Sequence, residues 1–200
     1  MKKSLILVCI LFLFASCSMA PLNTSNSGRS LGKDQNQLKL TASPLGALYE
    51  RGITNNLDLG LGMESQIGFV FSGHAKYSFT GHKNGFGFAL LAGGGYEKAF
   101  ARTKSAFLGP VFSYRTNAVE FFTTIRGVYI DWDFTKVSES ERNDVIDIFF
   151  DKFARQYGTY VQTDVGVTFI GEKIDLTVGA KFLTKDSTAV LPMIDVGLKF

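Results

Sequence analysis

From about residue 37 to the last residue, apolar side chains recur at every second position. Leu57, Leu59, Leu61 and Met63 alternate with Asp58, Gly60, Gly62 and Glu64. Phe69, Phe71, Ala75, Tyr77 and Phe79 alternate with Val70, Ser72, His74, Lys76 and Ser78. The same holds for Val161–Phe169, Ile174–Phe182 and the closing run Ile194, Val196, Leu198 and Phe200, which alternates with Asp195, Gly197 and Lys199. Period two is the mark of strands whose two faces meet different surroundings. One face is aliphatic and aromatic; the other is small or charged. A soluble sandwich also alternates, but 19 Phe in 200 residues suit a surface that faces lipid. In a barrel in lipid the apolar face points outward and the small polar face lines the lumen. The pattern therefore predicts an all-β fold, an antiparallel up-and-down transmembrane β-barrel.

Turn-rich stretches at 54–56, 81–85, 116–118 and 171–173 divide the strands. Pro44 breaks the first run, because proline cannot donate to a ladder. Ten strands result: Gln37–Ser43, Leu45–Ile53, Leu57–Glu64, Ile67–Thr80, Phe86–Phe100, Lys104–Arg115, Val119–Asp133, Thr159–Ile170, Ile174–Leu183 and Val190–Phe200. Eight strands is the alternative, with the first segment lost or two merged. One segment departs from period two. Ser138 to Glu141 forms a capping-box pattern, and Ile146, Phe149, Phe150 and Phe153 fall on one helical face. This predicts a short amphipathic helix in the longest, extracellular loop. The span 136–158 is then a candidate surface for an extracellular partner, or a plug if its apolar face turns into the barrel mouth.

The first residues have another organisation. Lys2 and Lys3 precede an apolar run from Leu5 to Ala15, too short to cross a bilayer as a helix. The expected division is a signal peptide over 1–16, a flexible lipid-tethered linker over 17–36, and the barrel over 37–200. The linker reading rests on a Ser/Asn/Gly-rich stretch without period. An ordinary secretory signal cut nearby is the other reading of the leader, with Pro21 obstructing a site after Ala20. Of the two cysteines, Cys9 leaves with the leader, so the mature chain has no disulfide and no cysteine metal site. A net charge of +3, spread in both signs, gives no support for a nucleic-acid partner.

Both ends carry motifs. The chain closes on Ile194, Val196, Leu198 and Phe200 at the end of an alternating strand, and Phe14-Ala15-Ser16-Cys17 ends the leader. These resemble the barrel-assembly signal and the lipobox of bacterial outer-membrane proteins. The phrase from Tyr49 to Gly60 is similar to a strand–turn–strand unit of such barrels. The chain thus resembles small Gram-negative outer-membrane β-barrel proteins of the porin-like and OmpA/OmpX-like kind, joined to a lipoprotein signal peptide. The resemblance implies lipid attachment (palmitate among the acyl chains) at Cys17, outer-membrane lipids as surroundings, and the barrel-assembly and lipoprotein-sorting machineries as partners. Ser18, where an Asp would mark inner-membrane retention, agrees with the outer membrane. The N-terminus is expected on the periplasmic side.

Candidate chemistry is sparse. His74 shares a strand face with Ser72 and Lys76, but a Ser–His pair without an orienting third group is no catalytic site; His82 falls in a turn at the far end from outer-leaflet lipid. Asp131 and Asp133 flank Trp132 without the spacing of a cation loop. Gly93–Gly95 lacks the helix and lysine of a phosphate loop. No catalytic residue, metal or cofactor is expected. The inward positions instead predict a polar lumen network: His74, Lys76, Glu97, Glu120, Arg126, Asp164, Asp175, Lys181 and Asp195. In a narrow barrel such charges are expected to pair across the interior. The leading expectation is a non-enzymatic structural or interaction protein with a largely plugged lumen. A narrow channel for ions or small polar solutes and an outer-leaflet lipid-modifying enzyme are the alternatives.

Overall fold

The computed structural model describes residues 20–66, 68–80, 84–97, 102–133, 158–185 and 187–200. They form ten strands: β1 Asn36–Ala42, β2 Leu45–Gly52, β3 Leu57–Ser65, β4 Phe69–Ser78, β5 Gly85–Glu97, β6 Arg102–Arg115, β7 Val119–Asp133, β8 Gly158–Ile170, β9 Ile174–Thr184 and β10 Thr188–Lys199. Every strand pairs antiparallel with its sequence neighbours, and β1 pairs with β10 to close the barrel. The seam register sets Leu40 against Val196 and Leu38 against Leu198. The ten-strand reading of the sequence is the one observed. Pro44 sits in the two-residue turn between β1 and β2, where its missing N–H costs no ladder bond. The expected helix at 138–153 lies outside the described residues, as do Cys17 and His82.

The alternation turns the apolar face outward. Leu61, Phe71, Phe86, Tyr114, Phe121 and Ile174 all stand exposed on the outer surface. Such a band is stable only where hydrocarbon covers it. Near one end of the barrel, Phe79 stacks on Phe88 and Phe88 on Phe112, with ring centroids 5.1 and 5.2 Å apart. That end also holds the start of β1 and the end of β10, tied by Asn36 N–H to the Phe200 carbonyl at 3.2 Å and the reverse bond at 3.1 Å. Phe200 projects outward and its ring leans on Tyr49, 6.5 Å away. Ile194 and Val196 also face outward, and Leu198 is half-buried beside them.

The wall is uneven in height. β1 to β4 have 7, 8, 9 and 10 residues, whereas β5 to β8 have 13, 14, 15 and 13. At about 3.3 Å per residue the difference between β1 and β7 is roughly 26 Å along the strand. On the tall side, Pro110 interrupts the β6–β7 ladder, yet Leu108–Gly127 and Val111–Thr124 keep one register across the gap.

The stretch expected to be a flexible linker is placed elsewhere. Residues 20–30 are buried, apart from a half-buried Ser27, and they run inside the barrel. At the end shared by β1 and β10 this inner segment reverses into β1. Gly32 takes a φ of 96° there, a conformation only glycine adopts readily. Gly52 N–H bonds the Gln35 carbonyl at 2.9 Å, and a Cβ on Gly52 would stand 1.8 Å from the Gly32 carbonyl oxygen. The missing side chain of Gly52 is what lets the segment pass the end of β2.

Candidate functional site

The site is the lumen, with inward side chains from the wall meeting the inner segment along its length. At the end away from Phe200, Gln66 donates its side-chain N–H to the Ala20 carbonyl at 2.8 Å. Gln66 follows β3 directly, so Ala20 stands level with the upper rim of the short strands. The tall wall behind it is apolar within: Ala89, Leu91, Phe107, Val111, Val128 and Ile130 pack with Ala20 into one buried cluster. The expectation that the inward face would be small and polar throughout is corrected here. β5 to β7 carry apolar residues on both faces, because their inner face is covered by chain instead of water.

Immediately below, Glu64 accepts from Leu22 N–H at 2.6 Å, Asn23 N–H at 3.0 Å and the Asn23 amide at 2.6 Å. Arg126 donates to the carbonyls of Pro21 and Leu22 at 2.8 and 2.9 Å, and its guanidinium lies 4.9 Å from the centre of the Phe107 ring. Lys181 donates to the Asn23 side-chain oxygen and, at 3.0 Å, to the Ser43 carbonyl. Nearer the Phe200 end, Lys76, opposite Asp58 in the β3–β4 ladder, bonds Ser25 at 2.7 Å and pairs with Asp58 at 3.1 Å. Lower still, Ser27 donates to Glu120 at 2.7 Å, Gly28 N–H to Ser113 at 3.1 Å, and Ser30 to Asp58 at 2.6 Å. Arg29 bonds the Gly85 carbonyl. Gly28 lies so close to β5 that a Cβ there would meet the Gly87 carbonyl oxygen at 2.7 Å.

All nine residues assigned to the lumen network are buried: His74, Lys76, Glu97, Glu120, Arg126, Asp164, Asp175, Lys181 and Asp195. Their partners differ from the expected pairing across the interior. Among the described residues the ion pairs within the wall join nearby strands: Lys39 with Glu50 at 2.7 Å, His74 with Glu50 at 3.2 Å, Lys76 with Asp58, and Lys199 with Asp175 at 2.7 Å. The centre belongs to the inner segment, so Glu64, Glu120, Arg126 and Lys181 bond to it. Asp164 accepts from Gln162 at 2.7 Å. Glu97 lies near the upper end of the tall wall, and its carboxylate makes no hydrogen bond with the described residues. Asp195 faces the lower lumen on β10.

Sequence reasoning missed Glu50, which joins Lys39 and His74, and missed the whole of 20–33 as a lumen element. A signal existed: inward glycines leave interior room, and small donors and acceptors such as Asn23, Ser25, Asn26, Ser27 and Ser30 can bond a polar wall on every side. Beside the lower half of the segment, toward the Phe200 end, a cavity of about 320 Å³ remains, lined among others by Arg29, Lys39, Glu50, Glu120 and Asp195. The orienting carboxylate missing from sequence beside His74 is present as Glu50 at 3.2 Å. Among the described residues no group of three or more His, Cys, Asp or Glu could hold a metal ion. The side chains of Trp132 and Asp133 are outside the described set.

The closed antiparallel barrel and its apolar outer band are the architecture of an outer-membrane β-barrel. No protein-family model matches the chain, and no curated protein matches it. Among solved structures it is similar to the N-terminal β-barrel domain of Pseudomonas aeruginosa OprF, at 10% identity and a TM-score of 0.43, over 84% of this chain and 99% of that one. It is also similar to Yersinia pestis Ail in a phospholipid bilayer nanodisc, at 10% identity and a TM-score of 0.42, again over 84% of this chain and 99% of that one.

Proposed function

We propose that the chain is an outer-membrane lipoprotein of structural or interaction type, lipidated at Cys17, whose barrel is closed to solutes by its own residues 20–33. The observation that carries this reading is the inner segment itself: its backbone and side chains bond inward groups of β1, β3, β4 and β6 to β9. A segment held only by one end would leave such buried donors and acceptors unsatisfied. The apolar outer band supports a membrane location. Short connections at 53–56, 116–118 and 171–173 share the Phe200 end, whereas β7 ends and β8 begins at the other, with the long stretch 134–157 of the sequence between them. Short turns toward the periplasm and long loops outside are the rule for such barrels, which supports an orientation with Phe200 toward the periplasm.

Planar-bilayer recording on the refolded protein tests the closed lumen. The intact chain should give no stable single-channel currents, and a variant lacking residues 20–33 should give them. Stable discrete currents from the intact chain would overturn the closed lumen in favour of a narrow channel.

A further inference from the structure

We infer that this barrel carries its N-terminal chain through its own lumen to the opposite membrane face, so that the lipid on Cys17 enters the outer leaflet at the cell surface. The inference rests on the orientation and lipidation proposed above and changes the side on which the anchor lies.

The direction of the inner segment is the first argument. β1 starts at the Phe200 end, bonded there to the last residue of the chain. Going back from Asn36, the segment passes Asp58 at Ser30, Ser113 at Gly28, Lys76 at Ser25 and Glu64 at Leu22, and reaches Gln66 at Ala20. β3 runs upward from Asp58 through Glu64 to Gln66. The segment therefore crosses the barrel from one mouth to the other, and the two ends of the mature barrel chain leave by opposite faces.

Reach is the second argument. Cys17 stands three positions before Ala20, and an extended chain covers about 10 Å in that distance. The apolar band of such a barrel is about 25 Å tall. A lipid on Cys17 cannot reach the periplasmic leaflet unless the segment first leaves the lumen. Leaving would strip Glu64, Arg126 and Lys181 of their partners in the segment at once. The uneven wall supplies the third argument. Ala20 is level with the low rim over β1 to β4, where the β1–β2 turn has only two residues. A chain leaving over that rim comes out at the edge of the apolar band, whereas the tall wall of β5 to β8 rises behind it.

The test places an eight-residue epitope between Ser18 and Met19 in one variant and after Asn117, in the β6–β7 turn, in another. Antibody binding is compared on intact and permeabilised cells, and palmitate incorporation is measured in both. The expected result is binding to the N-terminal epitope on intact cells and to the turn epitope only after permeabilisation, with palmitate label in both. Binding to both only after permeabilisation would overturn the threaded path. The reverse pattern, with the turn epitope outside, would overturn the orientation and with it the surface anchor. A surface epitope without palmitate label would overturn the lipid while leaving the path. Because an inserted epitope can itself block threading, a second variant without one carries Asn23→Cys and Thr41→Cys, whose native side chains are 2.9 Å apart. A thiol cross-link between them should form in most of the palmitate-labelled molecules; its absence from that fraction would show the segment withdrawn.

Discussion

The two sides of this lumen solve the same problem with different chemistry. On the tall side, β5 to β7 bury Leu91, Phe107, Val111, Val128 and Ile130 against Ala20, as a water-soluble core would. On the low side, β1 to β4 present Lys39, Glu50, Asp58, Glu64, His74 and Lys76, paired with each other or with the inner segment. The difference teaches where height comes from. Apolar burial needs no directional partner, so the tall wall can be sealed by shape alone. The charged side needs a bond for each group it buries, and the segment supplies several at fixed heights.

Replacing Glu64 with Ala attacks the charged side at its densest point. The backbone N–H groups of Leu22 and Asn23 lose their acceptor, at about 1–3 kcal/mol for each donor left buried, while the Asn23 amide keeps Thr41 and the Pro44 carbonyl. We expect the largest loss here, roughly 4 kcal/mol in urea unfolding from lipid vesicles, and Glu64→Gln should recover part of it. A midpoint unchanged by Glu64→Ala would show that the segment is not held there.

Phe107→Ala breaks the apolar side. The ring is buried and lies beneath the Arg126 guanidinium, so removal should cost about 3 kcal/mol as in other large-to-small core changes. Heat-modifiable gel migration should shift to lower temperature. If Phe107→Ala matches wild type, the apolar cluster is not a packed core.

Leu61→Arg sharpens the contrast between inside and outside. Arg126 is tolerated inside because carbonyl groups receive it; Leu61 is exposed to the outer surface at mid-strand. An arginine on the lipid face costs about 2–4 kcal/mol at the bilayer midplane, and vesicle unfolding should register a loss of roughly 2 kcal/mol within that range. Neutral behaviour in vesicles would mean that this face does not meet lipid. Ser113→Ala should have the smallest effect, about 1 kcal/mol, because it removes one acceptor from Gly28 N–H. A loss above that of Phe107→Ala would show that, within β6, this one bond to the inner segment outweighs the apolar cluster.

Much of the wall was legible in the sequence. Where one face meets lipid and the other a polar interior, alternation marks every residue, and β3, β4 and β9 match their expected spans to within two residues at each end. The signal weakens where both faces are apolar, as at Phe121 and Phe122, which point outward and inward from adjacent positions. Only the register of the whole strand then assigns a face. The inner segment carried no period at all. Its backbone bonds go to side chains of the wall and not to a neighbouring strand, so its composition matches that of a solvated linker. Its partners are set by where Glu64, Arg126 and Lys181 point, which only the closed barrel determines.

The seam between β1 and β10 joins residues from the two ends of the barrel sequence, Gln37 with Lys199. Once that seam is closed around residues 20–33, the molecule is a ring threaded by its own tail. Such a lasso has two ways to open: the tail slides back through the ring, or the ring breaks. A group on the tail wider than the lumen blocks sliding, and release then requires parting β1 from β10. The ladder at that seam therefore serves as a latch. With such a group on the tail, the same latch would order folding, because the tail must then lie in place before the hoop around it shuts.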